Sequence, residues 1–526
     1  MKKTIIKRSI LLFLIVTSLS ACNSKSETPE DVNDEESEEL QALSLEINQQ
    51  RVYQIMDNFG ASDAWSGQFV GNWPSDKKQK IADLLFSQEL DPDGNPEGIG
   101  ISLWRLNIGA GSAEQGAESG IRDEWRRAPS FLKLNNEYDW NGMESQVWLA
   151  NAAKAHGVDQ LLIFSNSPHV NFTRNGKAFT NDANHSNLAA DKYDEFAEYL
   201  AIITEGLQNK GLEVDYISPV NEPQWDWADG GQEGTPLWNN EIVGIVKALN
   251  KELEDRNLSA SIDIPEAGQI NYLYEEGNRP GRSNQIQAFF NESSENYIAD
   301  LAHVSPTVSG HSYFTTSPFS SMIEQRERLS NAVDNIPDLK YWMSEYCILG
   351  DNNGEIEGNG RDLGIDPALY LARVIHSDLT VANASAWHWW LAVSPYDYKD
   401  GLIYIDKNKE AGEFYESKML WALGNYSRFI RPGYQRIDIT NSGSSDIRKN
   451  FLFSAYKNPE NDEVIVVLVN SGNEDVPVQL QLKGEELNIV DYYVTSSNEN
   501  LKYKKLNSSE NFMAQKKSIT TFVLNN

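Results

Sequence analysis

The sequence lacks the features that stabilise small disulfide-rich domains or attract polyanions. Only two of its 526 residues are cysteines, and 45 Lys and Arg stand against 77 Asp and Glu, giving a formal net charge of −32. Such a chain has no basic footprint for nucleic acid, and its stability must come from a hydrophobic core. Its length and 40% hydrophobic content suit a barrel with an appended domain, or roughly two to three domains.

Motifs for metals and cofactors are also missing. The seven histidines include no His-x-x-x-His pair, and no Walker sequence is present. Gly109, Gly111 and Gly116 look like a dinucleotide-binding loop, but their spacing is too long for that fingerprint. We interpret Cys347 as a buried thiol rather than a nucleophile. The sequence therefore predicts neither a metal site nor a cofactor.

The N-terminal segment has the layout of an export signal. Basic residues at positions 2, 3, 7 and 8 precede an apolar run from Ile10 to Val16, which is too short to span a membrane. Leu19-Ser20-Ala21-Cys22 follows and resembles a bacterial lipobox, whose cysteine is lipidated. A cleaved signal peptide with an incidental cysteine is the alternative. We predict a signal peptide over residues 1–21. The resemblance, with Asn23 rather than Asp after the cysteine, implies an outer-membrane lipid anchor at Cys22, and the membrane face stays open.

The next residues change in composition twice. Residues 22–42 are acidic and polar, which predicts a solvated tether, and the alternation that begins at Leu43 predicts strands over 43–56. Eight strand-like runs then alternate with helical stretches. The runs are Met56–Ala61, Ile101–Ile108, Gln160–Asn166, Val214–Val220, Ser259–Pro265, Val304–Phe314, Leu339–Ser344 and Val381–Trp390. This α/β pattern favours a (β/α)₈ TIM barrel over residues 57–425, although a doubly wound sheet would give a similar pattern.

Helical periodicity stops after about Tyr426. Short strand-like runs, such as Glu463–Val469 and Ser518–Leu524, are separated by Asn, Ser, Gly and Pro and predict a small antiparallel β-sandwich over residues 426–526. We expect the strands over 43–56 to pair with it, because a closed barrel has no free edge to accept them.

Two glutamates follow strands of the predicted barrel. Strand 4 runs into Asn221-Glu222-Pro223, and strand 7 runs into Ser344-Glu345. Barrels carry their chemistry where the strands end. Two carboxylates in one cleft can cleave an acetal, because one protonates the leaving oxygen while the other attacks the anomeric carbon. Asn221 could hydrogen-bond a sugar 2-hydroxyl beside the acid.

Longer motifs accompany these glutamates. They are Asp57-Asn58-Phe59-Gly60-Ala61-Ser62-Asp63-Ala64 on strand 1, Ser102-Leu103-Trp104-Arg105-Leu106 on strand 2 and Ser165-Asn166-Ser167-Pro168 after strand 3. With Asn221-Glu222-Pro223 and Glu345 they resemble glycoside hydrolase family 30, a family of retaining glycosidases with a side β-sandwich formed by both chain ends. The resemblance implies that Glu222 is the acid/base, that Glu345 is the nucleophile, and that Asp63 and Asn166 contact substrate.

The resemblance also implies supporting residues. His311 and Tyr313 share a face at the end of strand 6, and the family directs that face to the active site, where Tyr313 could bond Glu345. Arg105 is expected to lower the pKa of Glu345 and keep it ionised. On strand 8, Trp389 matches the family's sugar-stacking tryptophan. Purely structural roles in the core are the alternative for His311 and Trp389.

The predicted function is that of a secreted or surface retaining β-glycosidase, which cleaves a polysaccharide by double displacement and needs no cofactor. Ser165–Pro168 and Gln232–Gly234 look most like the endo-β-1,6-galactanase branch of the family, but His169–Phe172 replaces the aromatics common in that branch. A xylanase or other β-glycanase of the family is one alternative. A non-catalytic glycan-binding lipoprotein is another, and the oligomeric state stays open.

Aromatic and basic residues are frequent in the predicted rim loops. Several tryptophans there could form sugar subsites: Trp65, Trp73, Trp125, Trp140, Trp225, Trp227 and Trp238. Four arginines could bind a uronate or sulfate, or be solvated loop charges: Arg122, Arg126, Arg127 and Arg174.

Overall fold

A computed structural model describes residues 42–441, 450–461, 463–482, 489–507 and 512–524. The predicted signal peptide, the lipidation site Cys22 and the tether up to residue 41 lie outside the described residues. Within the described ranges, none of the helices combines the length and the apolar character needed to cross a lipid bilayer.

The described residues form nineteen strands, eleven α-helices and four short 3₁₀-helices. The strands are β1 (Leu43–Ile55), β2 (Asn58–Ser62), β3 (Leu103–Asn107), β4 (Gln160–Phe164), β5 (Tyr216–Ser218), β6 (Ser261–Ala267), β7 (Val304–His311), β8 (Lys340–Tyr346), β9 (Ala386–Ser394), β10 (Gly401–Ile405), β11 (Phe414–Glu416), β12 (Gln435–Asn441), β13 (Phe451–Lys457), β14 (Val464–Asn470), β15 (Val476–Leu482), β16 (Ile489–Thr495), β17 (Lys502–Asn507), β18 (Phe512–Ala514) and β19 (Ser518–Leu524). The helices are α1 (Gly67–Val70), α2 (Ser75–Phe86), α3 (Ser112–Gln115), α4 (Glu144–Ala155), α5 (Tyr193–Asn209), α6 (Asn239–Arg256), α7 (Asn271–Tyr274), α8 (Gln285–Phe290), α9 (Phe319–Asp334), α10 (Ile365–Thr380) and α11 (Lys418–Ser427).

Eight parallel strands close into a barrel. They follow the order β2 to β9, and β9 pairs with both β8 and β2, which closes the ring. Each strand overlaps one of the eight predicted runs, so the (β/α)₈ barrel is confirmed and the doubly wound alternative is wrong. The barrel strands are almost entirely buried, as expected where helices cover a parallel sheet.

The sheet continues beyond the barrel on one side. β10 pairs in parallel with β9, and β11 pairs antiparallel with β10. Neither strand is among those predicted from the sequence. β10 is a short apolar run that follows β9 closely, and a sequence pattern does not distinguish such a run from a loop packed against the barrel.

A nine-stranded sheet forms the β-sandwich. Its order is β17-β16-β19-β14-β13-β12-β1-β15-β18. β1 lies between β12, to which it is antiparallel, and β15, to which it is parallel. The N-terminal strand is therefore an interior strand of a sheet whose other members all come from the C-terminal part of the chain.

β14 joins the two hydrophobic cores, because its side chains alternate between the faces of the sheet. Val464, Val466 and Leu468 belong to the sandwich interior, whereas Ile465 and Val467 pack with the barrel core. All seven residues of this strand are buried. Burial of each of these side chains stabilises the fold by roughly 1.5–3 kcal/mol, so the sandwich is firmly attached to the barrel.

Candidate active site

Glu222 and Glu345 face one cavity at the carboxyl ends of the barrel strands. Glu222 follows β5, Glu345 lies near the end of β8, and both line a cavity of about 360 Å³. A carboxylate oxygen of each and a ring nitrogen of His311 all lie within 4.8 Å of one another. Retaining glycosidases separate their carboxyl groups by about 5–5.5 Å, and inverting enzymes by about 6.5–9.5 Å. The observed spacing therefore suits retention.

His311 lies between the carboxylates. Its Nδ1 is 2.9 Å from Oε1 of Glu222 and 3.6 Å from Oε1 of Glu345, and its Nε2 is 2.8 Å from Oε2 of Glu266. Burial alone would lower the pKa of His311, but the three carboxylates around it raise the pKa to about 10. The ring is therefore an imidazolium at neutral pH, and both of its N–H groups donate to carboxylates.

Glu266, at the end of β6, is a third carboxylate that the sequence analysis missed. It is fully buried, and it accepts hydrogen bonds from Arg105 Nη2 (3.1 Å), Ser218 Oγ (3.2 Å) and the hydroxyl of Ser344. Burial would raise its pKa, but Arg105 and His311 hold the pKa well below its ordinary value. A sequence signal existed, because Glu266 directly follows the predicted strand end at Pro265.

Glu345 is held by two donors. Arg105 Nη1 donates to Oε2 over 3.1 Å, and the hydroxyl of Tyr313 donates to Oε1 over 3.1 Å. Burial raises the pKa of Glu345, whereas the charges of His311 and Arg105 lower it. Arg105 therefore lowers the pKa of Glu345 as expected. The net shift of this pKa is nevertheless upward, because burial acts more strongly.

The backbone aims Glu222 at this cluster. Its φ is 42° and that of Glu266 is 51°, a left-handed conformation that is uncommon outside glycine. The amide N–H of Glu222 donates to the carbonyl of Glu266 (2.8 Å), and the indole N–H of Trp227 donates to the carbonyl of Glu222 (3.2 Å). These bonds hold the strained loop, as is common at functional sites.

A metal is the other possible use of such a cluster. Glu222, His311 and Glu345 have the residue types and the mutual distances to surround an ion. However, both ring nitrogens of His311 already lie at hydrogen-bond distance from carboxyl oxygens, Nδ1 from Glu222 and Nε2 from Glu266. The guanidinium of Arg105 adds a second cation. The arrangement therefore suits proton transfer and nucleophilic attack better than metal binding.

The predicted asparagines differ in position. Asn221 lines the cavity, whereas Asn166 is buried and is not a lining residue. Among the described residues, neither side-chain oxygen has a hydrogen-bond partner. Asn221 is thus placed to meet a sugar hydroxyl.

Asp63 does not line the cavity, so its predicted contact with substrate is not supported. Its carboxylate accepts hydrogen bonds from the backbone N–H of Asn107 (2.8 Å) and the amide of Gln146 (3.2 Å). Burial raises its pKa to about 7, although these bonds lower it. Asp63 connects the end of β2 to β3 and α4 instead.

Trp389 does not line the cavity, although it was predicted to stack on a sugar. It is fully buried, and its indole N–H donates to the backbone carbonyl of Asp400 over 2.7 Å. Ala61 pairs with Trp389 and the next residue, Ser62, pairs with Leu391, so Trp390 is an extra residue in a bulge. Trp390 consequently lines the cavity in place of its neighbour.

Aromatic side chains dominate the rest of the cavity wall. Of the seven rim tryptophans named from the sequence, Trp65, Trp225 and Trp227 line it. Of the four arginines, Arg126 lines it, with its guanidinium carbon 4.6 Å from the centre of the Trp65 ring. The lining thus combines acidic groups with flat apolar rings, a combination that suits a sugar.

Glu233 ties two loops of this rim together. Its carboxylate accepts hydrogen bonds from the backbone N–H of Ala110 (3.0 Å) and the hydroxyl of Ser112 (2.6 Å). Burial raises its pKa to about 7, although these bonds lower it. The loop after β5 is thereby joined to the loop after β3 that carries Arg126.

Two family models match the chain. Residues 42–404 match the family model described as O-Glycosyl hydrolase family 30. Residues 433–522 match the model described as Glycosyl hydrolase family 30 beta sandwich domain. The first match alone spans more than half of the chain, and the two matches correspond to the barrel and the sandwich.

Individual proteins are similar over most of their length. The chain is 25% identical to glucuronoxylanase XynC of Bacillus subtilis (strain 168), a match covering 75% of this chain and 81% of the relative. It is 23% identical to an endo-beta-1,6-galactanase of Hypocrea rufa, covering 72% and 73% respectively. The crystal structure of a conserved exported protein from Bacteroides fragilis superposes with a TM-score of 0.85 at 33% identity, covering 91% of this chain and 100% of that one.

Proposed function

Because the chain belongs to O-glycosyl hydrolase family 30, we propose that its cavity cleaves β-glycosidic bonds with retention, with Glu345 as nucleophile and Glu222 as acid/base. The observation that carries this assignment is the spacing of the two carboxylates, whose oxygens approach within 4.8 Å. This close approach supports a retaining enzyme over an inverting one, which needs room for a water between its carboxylate and the sugar.

The reaction proceeds by two displacements. A carboxylate oxygen of Glu345 attacks the anomeric carbon while Glu222 gives its proton to the departing glycosidic oxygen, and a glycosyl ester of Glu345 forms. Glu222 then takes a proton from water, and the resulting oxygen attacks the same carbon and releases Glu345. Arg105 and Tyr313 hold the nucleophile through both of its oxygens, so it is already oriented before substrate arrives.

The substrate we propose is a β-linked polysaccharide of pyranoses, with β-1,6-galactan as the first candidate and xylan as the second. The similar proteins include an endo-beta-1,6-galactanase and a glucuronoxylanase, which support these two polymers. The aromatic lining supports a pyranose, whose C–H faces pack against flat rings.

A purely glycan-binding role is the alternative from another class. The buried ion pairs of Arg105 with Glu266 and Glu345 disfavour it. Desolvating such charges costs several kcal/mol per ion. A binding site has no use for a nucleophile and an acid held at catalytic spacing.

A substrate panel tests the function. Purified protein is incubated with β-1,6-galactan, glucuronoxylan and β-1,6-glucan, and reducing ends are measured beside the Glu345→Ala variant. We expect release from one polymer by the wild type and none by the variant. The proposal would be refuted if a polymer bound without release of reducing ends, or if the wild type and the variant released reducing ends equally.

We also propose that the protein is exported and anchored to the outer membrane through Cys22. The sequence over residues 2–22 supports this location, as does the similarity to an exported protein. Radiolabelled palmitate should be incorporated by the wild-type precursor and not by a Cys22→Ser variant. Label in the variant would contradict the anchor.

A further inference from the structure

Asp400 is a buried carboxyl group on the cavity wall that the proposed reaction does not use. Its side chain lines the cavity although the residue is only 3% exposed. Its Oδ1 has no hydrogen-bond partner among the described residues, and Asn221 is the second such case on the described part of this wall. Burial of an unpaired polar atom costs free energy. A ligand that donates a hydrogen bond to Oδ1 would remove that cost.

The backbone around Asp400 is fixed. Its carbonyl accepts a hydrogen bond from the indole N–H of Trp389 over 2.7 Å. Nζ of Lys399, the preceding residue, donates to the carbonyls of Asn359 (3.1 Å) and Gly360 (3.0 Å). β10, which lies outside the ring of eight strands, begins directly after Asp400. The carboxyl group is therefore held in position before a ligand arrives.

The charge of Asp400 at neutral pH follows from its surroundings. Burial raises its pKa to about 6, and the Ser394 hydroxyl and the charges of Arg126 and Arg361 limit this rise. At pH 7 most of the protein therefore carries an ionised carboxylate at this position. An ionised carboxylate accepts hydrogen bonds and donates none.

Two further titratable groups interact electrostatically with Asp400. They are the thiol of Cys347 and the phenol of Tyr404, and burial raises the pKa of both above their ordinary values. Both groups are neutral at pH 7, so neither adds a charge that would attract an anion. The carboxylate itself repels a uronate or a sulfate. A hydroxyl group is the hydrogen-bond donor that a sugar offers to such an acceptor.

We propose that Asp400 is a specificity-determining residue, whose Oδ1 accepts a hydrogen bond from a hydroxyl group of the bound glycan. The inference rests on the proposed function, because it takes the cavity as the glycan-binding site. It deepens that function, because it requires a free hydroxyl rather than an anionic substituent on the sugar that meets Asp400. Trp389, which does not line the cavity, then influences glycan binding by holding the backbone of Asp400.

Calorimetric binding measurements test this contact. The ligand is the tetrasaccharide of the polymer that the wild type cleaves in the substrate panel, which is β-1,6-galactotetraose for the first candidate. The proteins are the Glu345→Ala variant, which cannot cleave the ligand, and the double variant that also carries Asp400→Asn. At pH 7 we expect the Kd of the double variant to be about tenfold higher, since a hydrogen bond to a charged group is lost.

The pH dependence of Kd separates recognition from a structural role. Asn has the shape of a protonated Asp, and at pH 5 most of the Asp400 carboxyl is protonated in the free protein. The two Kd values should therefore converge as the pH falls from 7 to 5. The Tm of Asp400→Asn should equal or exceed that of the wild type, because the substitution removes a buried charge.

Asp397→Asn is the matched control. Asp397 belongs to the same turn between β9 and β10, but it is exposed and does not line the cavity. Its carboxylate accepts a hydrogen bond from the backbone N–H of Arg361 over 2.7 Å, which an Asn side-chain oxygen can also accept. Introduced into the Glu345→Ala variant, this substitution should leave Kd unchanged at both pH values.

The outcomes are distinct. Equal Kd values at pH 7 with and without Asp400→Asn would overturn the role of Asp400 and leave the proposed function intact. A tenfold difference that is the same at pH 5 and pH 7 would assign Asp400 a structural role and overturn the proposal too. Failure of the wild type to cleave any polymer in the panel would overturn the proposed function and the role of Asp400 together.

Discussion

Nε2–H of His311 donates to Oε2 of Glu266 over 2.8 Å, and neither side chain is exposed to solvent. The other ring nitrogen donates to Glu222, so Glu266 is connected to the proposed acid through a single imidazolium. Glu266 touches neither the proposed nucleophile nor the acid directly through its side chain. Its carboxylate acts on both through His311 and Arg105, which makes it a positioning residue.

Replacing Glu266 by Gln should shift the pH dependence of the reaction. The carboxylate is one of the charges that raise the pKa of His311 to about 10, so its removal lowers that pKa. The imidazolium then loses its proton at a lower pH, and the alkaline limb of kcat/KM moves toward neutrality. We expect little loss of kcat/KM at pH values below the shifted limb and a loss of about tenfold per pH unit above it. Glu275→Gln, a partly exposed partner of Arg328, is the control. An alkaline limb that stays in place would contradict the assignment.

The two catalytic assignments can be separated with azide and an aryl β-glycoside. Glu345→Ala should lower turnover by roughly 10⁴-fold, and azide should restore it by direct displacement, giving the α-glycosyl azide. Glu222→Ala still forms the glycosyl ester, and azide then replaces water to give the β-glycosyl azide. NMR of the products distinguishes the anomers. The same anomer from both variants would show that the roles are assigned wrongly.

Stability should fall as the pH rises through neutrality. The pKa of Glu233 is about 7 in the folded protein against an ordinary value of 4.5, so the folded state holds its proton longer than the unfolded state. The resulting stabilisation is complete below about pH 4.5 and is lost by about pH 8, on the order of 3 kcal/mol. Glu233→Gln should reduce the slope of the free energy of unfolding against pH. Part of the slope should remain, because the pKa of Asp63 is also raised to about 7.

Denaturant unfolding at pH 5, 6, 7 and 8 measures the free energy of unfolding for this comparison. Exposed Glu276 provides the control variant Glu276→Gln. A slope for Glu233→Gln equal to that of the wild type would show that Glu233 is ionised in the folded protein throughout this range.

Adjacent tryptophans on β9 should differ in what their replacement affects. Trp390→Ala removes a ring from the cavity wall, so KM for the polysaccharide should rise about tenfold. Trp389→Phe removes the hydrogen bond to the carbonyl of Asp400 and should cost about 1–3 kcal/mol of stability. Steady-state kinetics and thermal unfolding of both variants test this. A larger KM effect at Trp389 would mean that the register of the bulge is wrong.

The sequence was sufficient for the barrel and for the two carboxylates facing its cavity. Eight apolar runs of strand length alternate with amphipathic segments, and few folds other than a (β/α)₈ barrel fit that pattern. Glu222 and Glu345 were found because parallel strands all present their carboxyl ends at one face.

Other parts of the site depended on details that periodicity does not encode. Glu266 was missed because β6 extends two residues past the predicted end. Trp389 was preferred to Trp390 because a bulge shifts the side-chain alternation by one position. The sign of the Glu345 pKa shift depends on burial against nearby charges, and this balance is set by packing in three dimensions.

The place of β1 in the nine-stranded sheet bears on how the protein is made. β1 leaves the ribosome before every other described strand, yet its neighbours β12 and β15 are among those translated late. Both edges of β1 therefore lack their strand partners until the whole barrel has been synthesised. The nine-stranded sheet is therefore completed last. A nascent chain that stalls before β15 leaves one edge of β1 unpaired, so this edge can hydrogen-bond to a strand of a neighbouring chain.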